Sequence, residues 1–169
     1  MQIQGAELEL TWYMQEDLRL EANLGVLRSE IKNAGNLAGV DEGHDLQNTP
    51  THSSTLLIEK SFRFSHSELR LRSDVQHIAE QVDSLNYEND AFTTKGAQTY
   101  WNAWAEYALD KASLSFTLWG KNLTEEKTCH QIAVLTTPGT VTPNDTTATL
   151  ICNPSDGVRQ LGVGARYQF

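Results

Sequence analysis

Apolar and polar residues alternate with a period of two along most of this chain, the pattern of β-strands with two unlike faces. In a first segment, about 4–14, Ala6, Leu8, Leu10, Trp12 and Met14 fall on one face and Glu7, Glu9, Thr11 and Tyr13 on the other. In a second, 18–32, Leu18, Leu20, Ala22, Leu24 and Val26 oppose Arg19, Glu21, Asn23 and Gly25. In a third, 52–64, Leu56, Ile58, Phe62 and Phe64 share a face with one charged intruder, Lys60. A sixth, 113–131, sets Leu114, Phe116 and Leu118 against Ser113, Ser115, Thr117 and Trp119. A seventh, 157–169, sets Leu161, Val163, Ala165, Tyr167 and Phe169 against Gln160, Gly162, Gly164, Arg166 and Gln168. Segments 68–84 and 97–109 complete a series of about seven strands.

The breaks between them are of two kinds. Gln15-Glu16-Asp17, Ser65-His66-Ser67 and Asp110-Lys111-Ala112 are short, as in turns joining antiparallel neighbours. Those at about 33–51, 85–96 and 132–156 are long and polar. Short and long breaks alternate, so the long loops gather at one end of an up-and-down meander. The face alternation suits a wall with lipid on one side and water on the other. It equally suits any antiparallel sheet with one solvated face, such as a soluble β-sandwich binding module.

Two segments also fit a helical stripe: Leu20, Leu24, Leu27 and Ile31, and Leu71, Val75, Ile78, Val82 and Leu85. Read in isolation, 69–85 is as much an amphipathic helix as a strand.

Composition narrows the function. Thirteen Lys plus Arg against 22 Asp plus Glu give a net charge of −9, which disfavours a nucleic-acid partner. An acidic balance suits a cationic or metal-complexed ligand, or simply loop solubility. No apolar run is long enough for a transmembrane helix, and the start has no signal-peptide pattern. The five histidines show no metal-ligand spacing, and His44 with Asp41, Glu42 and Asp45 reads as a solvated acidic loop. Neither a nucleophile elbow nor a nucleotide-binding glycine motif occurs, so no enzyme, cofactor or metal is expected. Glu125 and Glu126 are expected at a strand end on opposite faces, unsuited to shared acid–base work. The tryptophans Trp12, Trp101, Trp104 and Trp119, with Tyr13, Tyr100 and Tyr107, are candidates for interfacial aromatic girdles or for core packing.

The stretch Leu118-Trp119-Gly120-Lys121-Asn122-Leu123-Thr124-Glu125-Glu126 resembles a segment near the end of TonB-dependent outer-membrane receptors, whose penultimate strand ends in a "kNLtDe"-like motif. A final strand closing in an aromatic follows there, as Gln160 to Phe169 does here. Gly5 to Leu10 and Leu46 to His52 also look like recurrent segments of those barrels. The resemblance spans nearly the whole chain and is weakest over 69–105.

The resemblance implies the last seven or so strands of a 22-stranded barrel, short turns periplasmic and long loops extracellular. It implies transport rather than catalysis: active uptake of a scarce ligand such as a ferric siderophore or cobalamin. Its implied partners are outer-membrane lipid, the remaining barrel strands and plug domain, the TonB complex and the outer-membrane assembly machinery. Trp119, Lys121, Asn122, Leu123 and Thr124 would be the family motif, and Tyr167 and Phe169 the assembly signal. In an oxidising periplasm Cys129 and Cys152 would form a disulfide, stabilising by roughly 3 kcal/mol through loop closure. The plug, the TonB-contacting box and about two-thirds of the barrel have no counterpart here, so a piece of a receptor or a non-functional truncated remnant is expected. Alone, it should form an open, curved antiparallel sheet with an apolar convex face; two packed sheets would contradict that reading.

Overall fold

The computed structural model describes residues 1–33, 35, 42–83, 94–127, 133–135, 149–151 and 157–169. One seven-stranded antiparallel sheet dominates. Its strands, in the order in which they lie side by side, are β1 (Gln2–Gln15), β2 (Leu18–Glu30), β3 (His52–Phe64), β4 (Ser67–Ile78), β7 (Gln98–Leu109), β8 (Leu114–Lys121) and β11 (Gln160–Tyr167). Each follows its predecessor up or down, and among the described residues β1 and β11 are edges paired on one side only. Two small hairpins stand apart: β5 (Gln81–Val82) with β6 (Thr94–Lys95), and β9 (Ala133–Leu135) with β10 (Thr149–Ile151). Among the described residues there is no α-helix, only a 3-10 turn at Asp110–Ala112 closed by Ser113 in the left-handed region (φ 49°).

β1 to β4 and β7 run for 12 to 14 residues. A typical globular strand has about five or six, and a tilted strand crossing a bilayer needs about 9–11. The cross-strand register assembles the alternating residues into two coherent faces. Leu10, Ala22, Leu56, Val75 and Trp101 are successive partners on one face. Thr11, Glu21, Leu57, Asp74 and Asn102 are successive partners on the other.

Exposure is inverted relative to a soluble sheet. Leu56 and Ile58, on the apolar face, are 58% and 46% exposed, while Leu57 between them, on the polar face, is 6% exposed. No large side chain among the described residues is fully buried. The polar face is therefore the sheltered inner one, and among the described residues the apolar outer face has no protein layer against it. A soluble domain buries its apolar face against a second layer. Among the described residues there is no such layer, and the single sheet speaks against the β-sandwich alternative.

Several boundaries differ from expectation. Over 69–83, the described part of segment 69–85, there is no helix: β4 runs to Ile78, where Ala79 turns its N–H to the His52 carbonyl (3.0 Å). The second strand stops at Glu30, and the last begins at Gln160 rather than 157. The sixth stops at Lys121 rather than near 131, because Asn122 is left-handed (φ 50°). The hairpins β5–β6 and β9–β10 leave no trace in the alternation, since two or three residues are too few to show a period.

The turns brace one another at one end. Ser61 donates its N–H to the Asp17 carbonyl (2.9 Å) and Asp110 donates to His66 (3.1 Å). At the opposite end, Asn48 donates to Val82 (2.8 Å), and Lys95 meets Asp83 at 2.9 Å, both 7% exposed.

Candidate functional site: a charged and aromatic basin on the inner face

One row of direct cross-strand partners crosses all seven strands on the inner face: Tyr13, Arg19, Glu59, Arg72, Trp104, Trp119 and Gly162. Its middle forms a basin of about 530 Å³ lined by Glu59, Arg70, Arg72, Asp74, Asn102, Trp104, Trp119 and Lys121. Strand parity puts them there. On β4, Arg70, Arg72 and Asp74 alternate with Leu69, Leu71, Ser73 and Val75. Trp101 and Trp104 are three apart on β7, so they face opposite ways and only Trp104 enters the basin.

The basin's charges are partly paired. Arg70 lies 3.5 Å from Glu68 and 3.6 Å from Glu106, and Arg72 lies 3.9 Å from Asp74. Asn102 donates to the Asp74 carboxylate at 2.7 Å. Further along the row, Arg19 bonds Glu21 and reaches Glu59 at 3.8 Å. The lining has three cations (Arg70, Arg72, Lys121) and two carboxylates (Glu59, Asp74), and Glu68 and Glu106 stand against Arg70 just outside it, so the basin has no cationic excess. Lys121 stands 5.8 Å from the centre of the Trp119 ring, within cation–π range. The arrangement offers ion pairing and aromatic contact.

The residues singled out at the end of β8 form a turn rather than a pocket. Asn122 takes the left-handed conformation, receives the Glu126 N–H on Oδ1 (2.9 Å) and donates from Nδ2 to the Glu126 carbonyl (3.0 Å). The Asn122 N–H goes to Asn102 Oδ1 (3.0 Å), Leu123 N–H to the Trp101 carbonyl (2.8 Å) and the Thr124 hydroxyl to the Thr99 carbonyl (2.9 Å). The turn is thus stitched to β7. Glu125 also has positive φ (54°), and Glu126 receives the Thr99 N–H at 3.3 Å. Both glutamates lie in this turn and not on a strand, which corrects their expected placement. Of the motif, only Trp119 and Lys121 reach the basin.

Tyr167 closes β11 opposite Leu114, and its ring lies 6.4 Å from that of Phe169. Asp45 accepts the Ser29 hydroxyl (3.2 Å), tying its loop to β2. Among the described residues no three His, Cys, Asp or Glu gather to hold a metal, and no helix is long and apolar enough to cross a membrane. Cys129 and Cys152 lie outside the described residues.

No family model matches the chain, and no curated protein matches it. Among solved structures, the chain is similar to the ferric yersiniabactin uptake receptor FyuA of Yersinia pestis. The TM-score is 0.77 at 14% identity, over 99% of this chain and 23% of that one. The chain therefore has the fold of part of a receptor barrel and spans about a quarter of that receptor's length.

Proposed function

We propose that the chain is the carboxyl-terminal barrel segment of a TonB-dependent outer-membrane receptor that takes up a scarce metal-complexed ligand, of which a ferric siderophore is the leading case. One observation carries the reading: a single sheet layer whose large apolar side chains face outward and whose ion pairs face inward. That division needs lipid outside and a wet lumen inside. Edges β1 and β11 support it too, because unpaired backbone in hydrocarbon costs several kcal/mol per group; the remaining barrel strands would close them. The plug domain would fill the lumen, and the TonB complex would engage the receptor outside this segment. Tyr167 and Phe169 would be read by the assembly machinery, and Cys129–Cys152 would staple the loop after β8.

The basin refines the ligand. Arg72, Lys121 and the two indoles on its wall suit a chelate that carries anionic groups and aromatic rings. FyuA is a ferric yersiniabactin receptor by name, which makes that chelate the first probe. The test is uptake of radiolabelled ferric yersiniabactin by iron-starved cells carrying the complete receptor. Uptake should fall when Arg72→Ala and Trp104→Ala are combined. Undiminished uptake, with the variant correctly inserted, removes the basin from the transport route.

A further inference from the structure

The apolar outer face is interrupted in one place. Ser73, Ala103 and Gly120 are successive cross-strand partners, and Ala105 adjoins them, so four small residues form a floor among bulky neighbours. The result is a groove of about 670 Å³ that runs across the strands from β3 to β11. Leu71 and Leu118 wall one side, and Trp101, whose Nε1 donates to Ser73 Oγ at 2.8 Å, walls the other. Lys60, the only Lys or Arg among the lining residues that belongs to this apolar face, stands at a corner of the groove.

The position of Lys60 is specific. It pairs with Leu18, beside the β1–β2 turn, and its ammonium approaches Gln15 Oε1 at 3.5 Å. Among the described residues it meets no carboxylate. Phe62 and Phe64 follow it on the same face toward the β3–β4 turn, as aromatics do at a membrane interface. Lys60 therefore sits just to the bilayer side of that aromatic pair on the short-turn side, where its long side chain can reach the headgroups, with an apolar channel leading away from it. Four strand spacings, roughly 19 Å, exceed the roughly 15 Å of one hydrocarbon leaflet.

We infer that this groove binds one acyl chain of an anionic phospholipid from the leaflet on the short-turn side, with the lipid phosphate paired to Lys60. The charge chooses the occupant: an apolar groove alone accepts any acyl chain, but an ammonium at its mouth that meets only the Gln15 amide oxygen and the Phe62 ring, and no carboxylate among the described residues, selects a headgroup with net negative charge. This inference rests on the membrane reading above.

The test uses the complete receptor, purified in mild detergent with phosphatidylglycerol or phosphatidylcholine added, and native mass spectrometry to count retained lipid. The wild type should retain phosphatidylglycerol over phosphatidylcholine. Lys60→Gln should lower phosphatidylglycerol retention about fivefold, the contribution of one basic residue near a charged lipid surface. Ala103→Phe, which fills the floor from the outer face, should abolish retention of both lipids at this site. Equal retention of the two lipids by the wild type, or unchanged retention in both variants, overturns the inference while leaving a heat-modifiable, membrane-inserted receptor intact. A chain that never fractionates with outer membranes overturns the inference and the membrane reading together.

Discussion

Trp119 occupies the space that a side chain at Gly162 would need: a Cβ there would stand 2.3 Å from Cε2 and Cζ2 of the indole. The two residues are direct partners across β8 and β11, so the last strand pairs flush only because one partner is large and the other has no side chain. Gly162→Val should destabilise the barrel by about 1–3 kcal/mol through overpacking. Combining it with Trp119→Ala should recover part of that loss, since touching sites couple non-additively. Urea unfolding of the membrane-inserted receptor measures both, and strictly additive losses would contradict the packing.

Asn122 should tolerate glycine better than alanine. Its backbone is left-handed (φ 50°), and its side chain makes two bonds to the Glu126 backbone. Glycine keeps the backbone at little steric cost and loses only the side-chain bonds, each worth about 0.5–1.5 kcal/mol net. Alanine loses the bonds and adds strain of about 1–3 kcal/mol. The same unfolding series ranks the two, and equal losses would show that conformation contributes nothing here.

The buried pair Asp83–Lys95 holds the β5–β6 hairpin at the long-loop end, with Gln47 donating to the Asp83 carbonyl at 3.0 Å. Asp83→Leu should remove the carboxylate of this buried pair and loosen the hairpin, at a cost of up to roughly 3–5 kcal/mol. Adding Lys95→Met should restore much of that. Hydrogen exchange at the Asn48 amide, which bonds Val82, reads the loosening locally. Unchanged protection in Asp83→Leu would show that the pair does not hold the hairpin.

How much of this was legible beforehand depended on strand length. Where alternation ran long, as in Ala6 to Met14, both strand and face followed from the residues alone. Over 69–85 it did not, because Ser73 put a small polar residue on the apolar face and Leu71, Val75, Ile78 and Val82 also satisfy a helical spacing. The register with β3 and β7 makes it a strand as far as Ile78. The basin needed the same information. Trp104 and Arg72 are 32 positions apart and meet only through pairing. Lys60 was visible as an intruder, but the groove beside it was not, since its floor comes from three different strands. The turn at Asn122 was found by resemblance, and only its hydrogen bonds show that it ends a strand rather than holding a ligand.

Neighbouring positions on β8 give the sharpest test of which side meets lipid. Thr117 faces inward between its partners Glu106 and Gly164, whereas Leu118 faces outward, 58% exposed, between Ala105 and Val163. In a bilayer, Leu118→Arg places a guanidinium in hydrocarbon at about 2–4 kcal/mol near the midplane. Thr117→Arg places the same group in the wet lumen beside Glu106, where it should cost little. In water the order would reverse, because Leu118 is already solvent-exposed and an arginine there would be harmless. Folded yield by heat-modifiability on gels, compared between the two variants, therefore separates the cases: a loss confined to Leu118→Arg supports the lipid-facing wall, and equal tolerance at both positions refutes it.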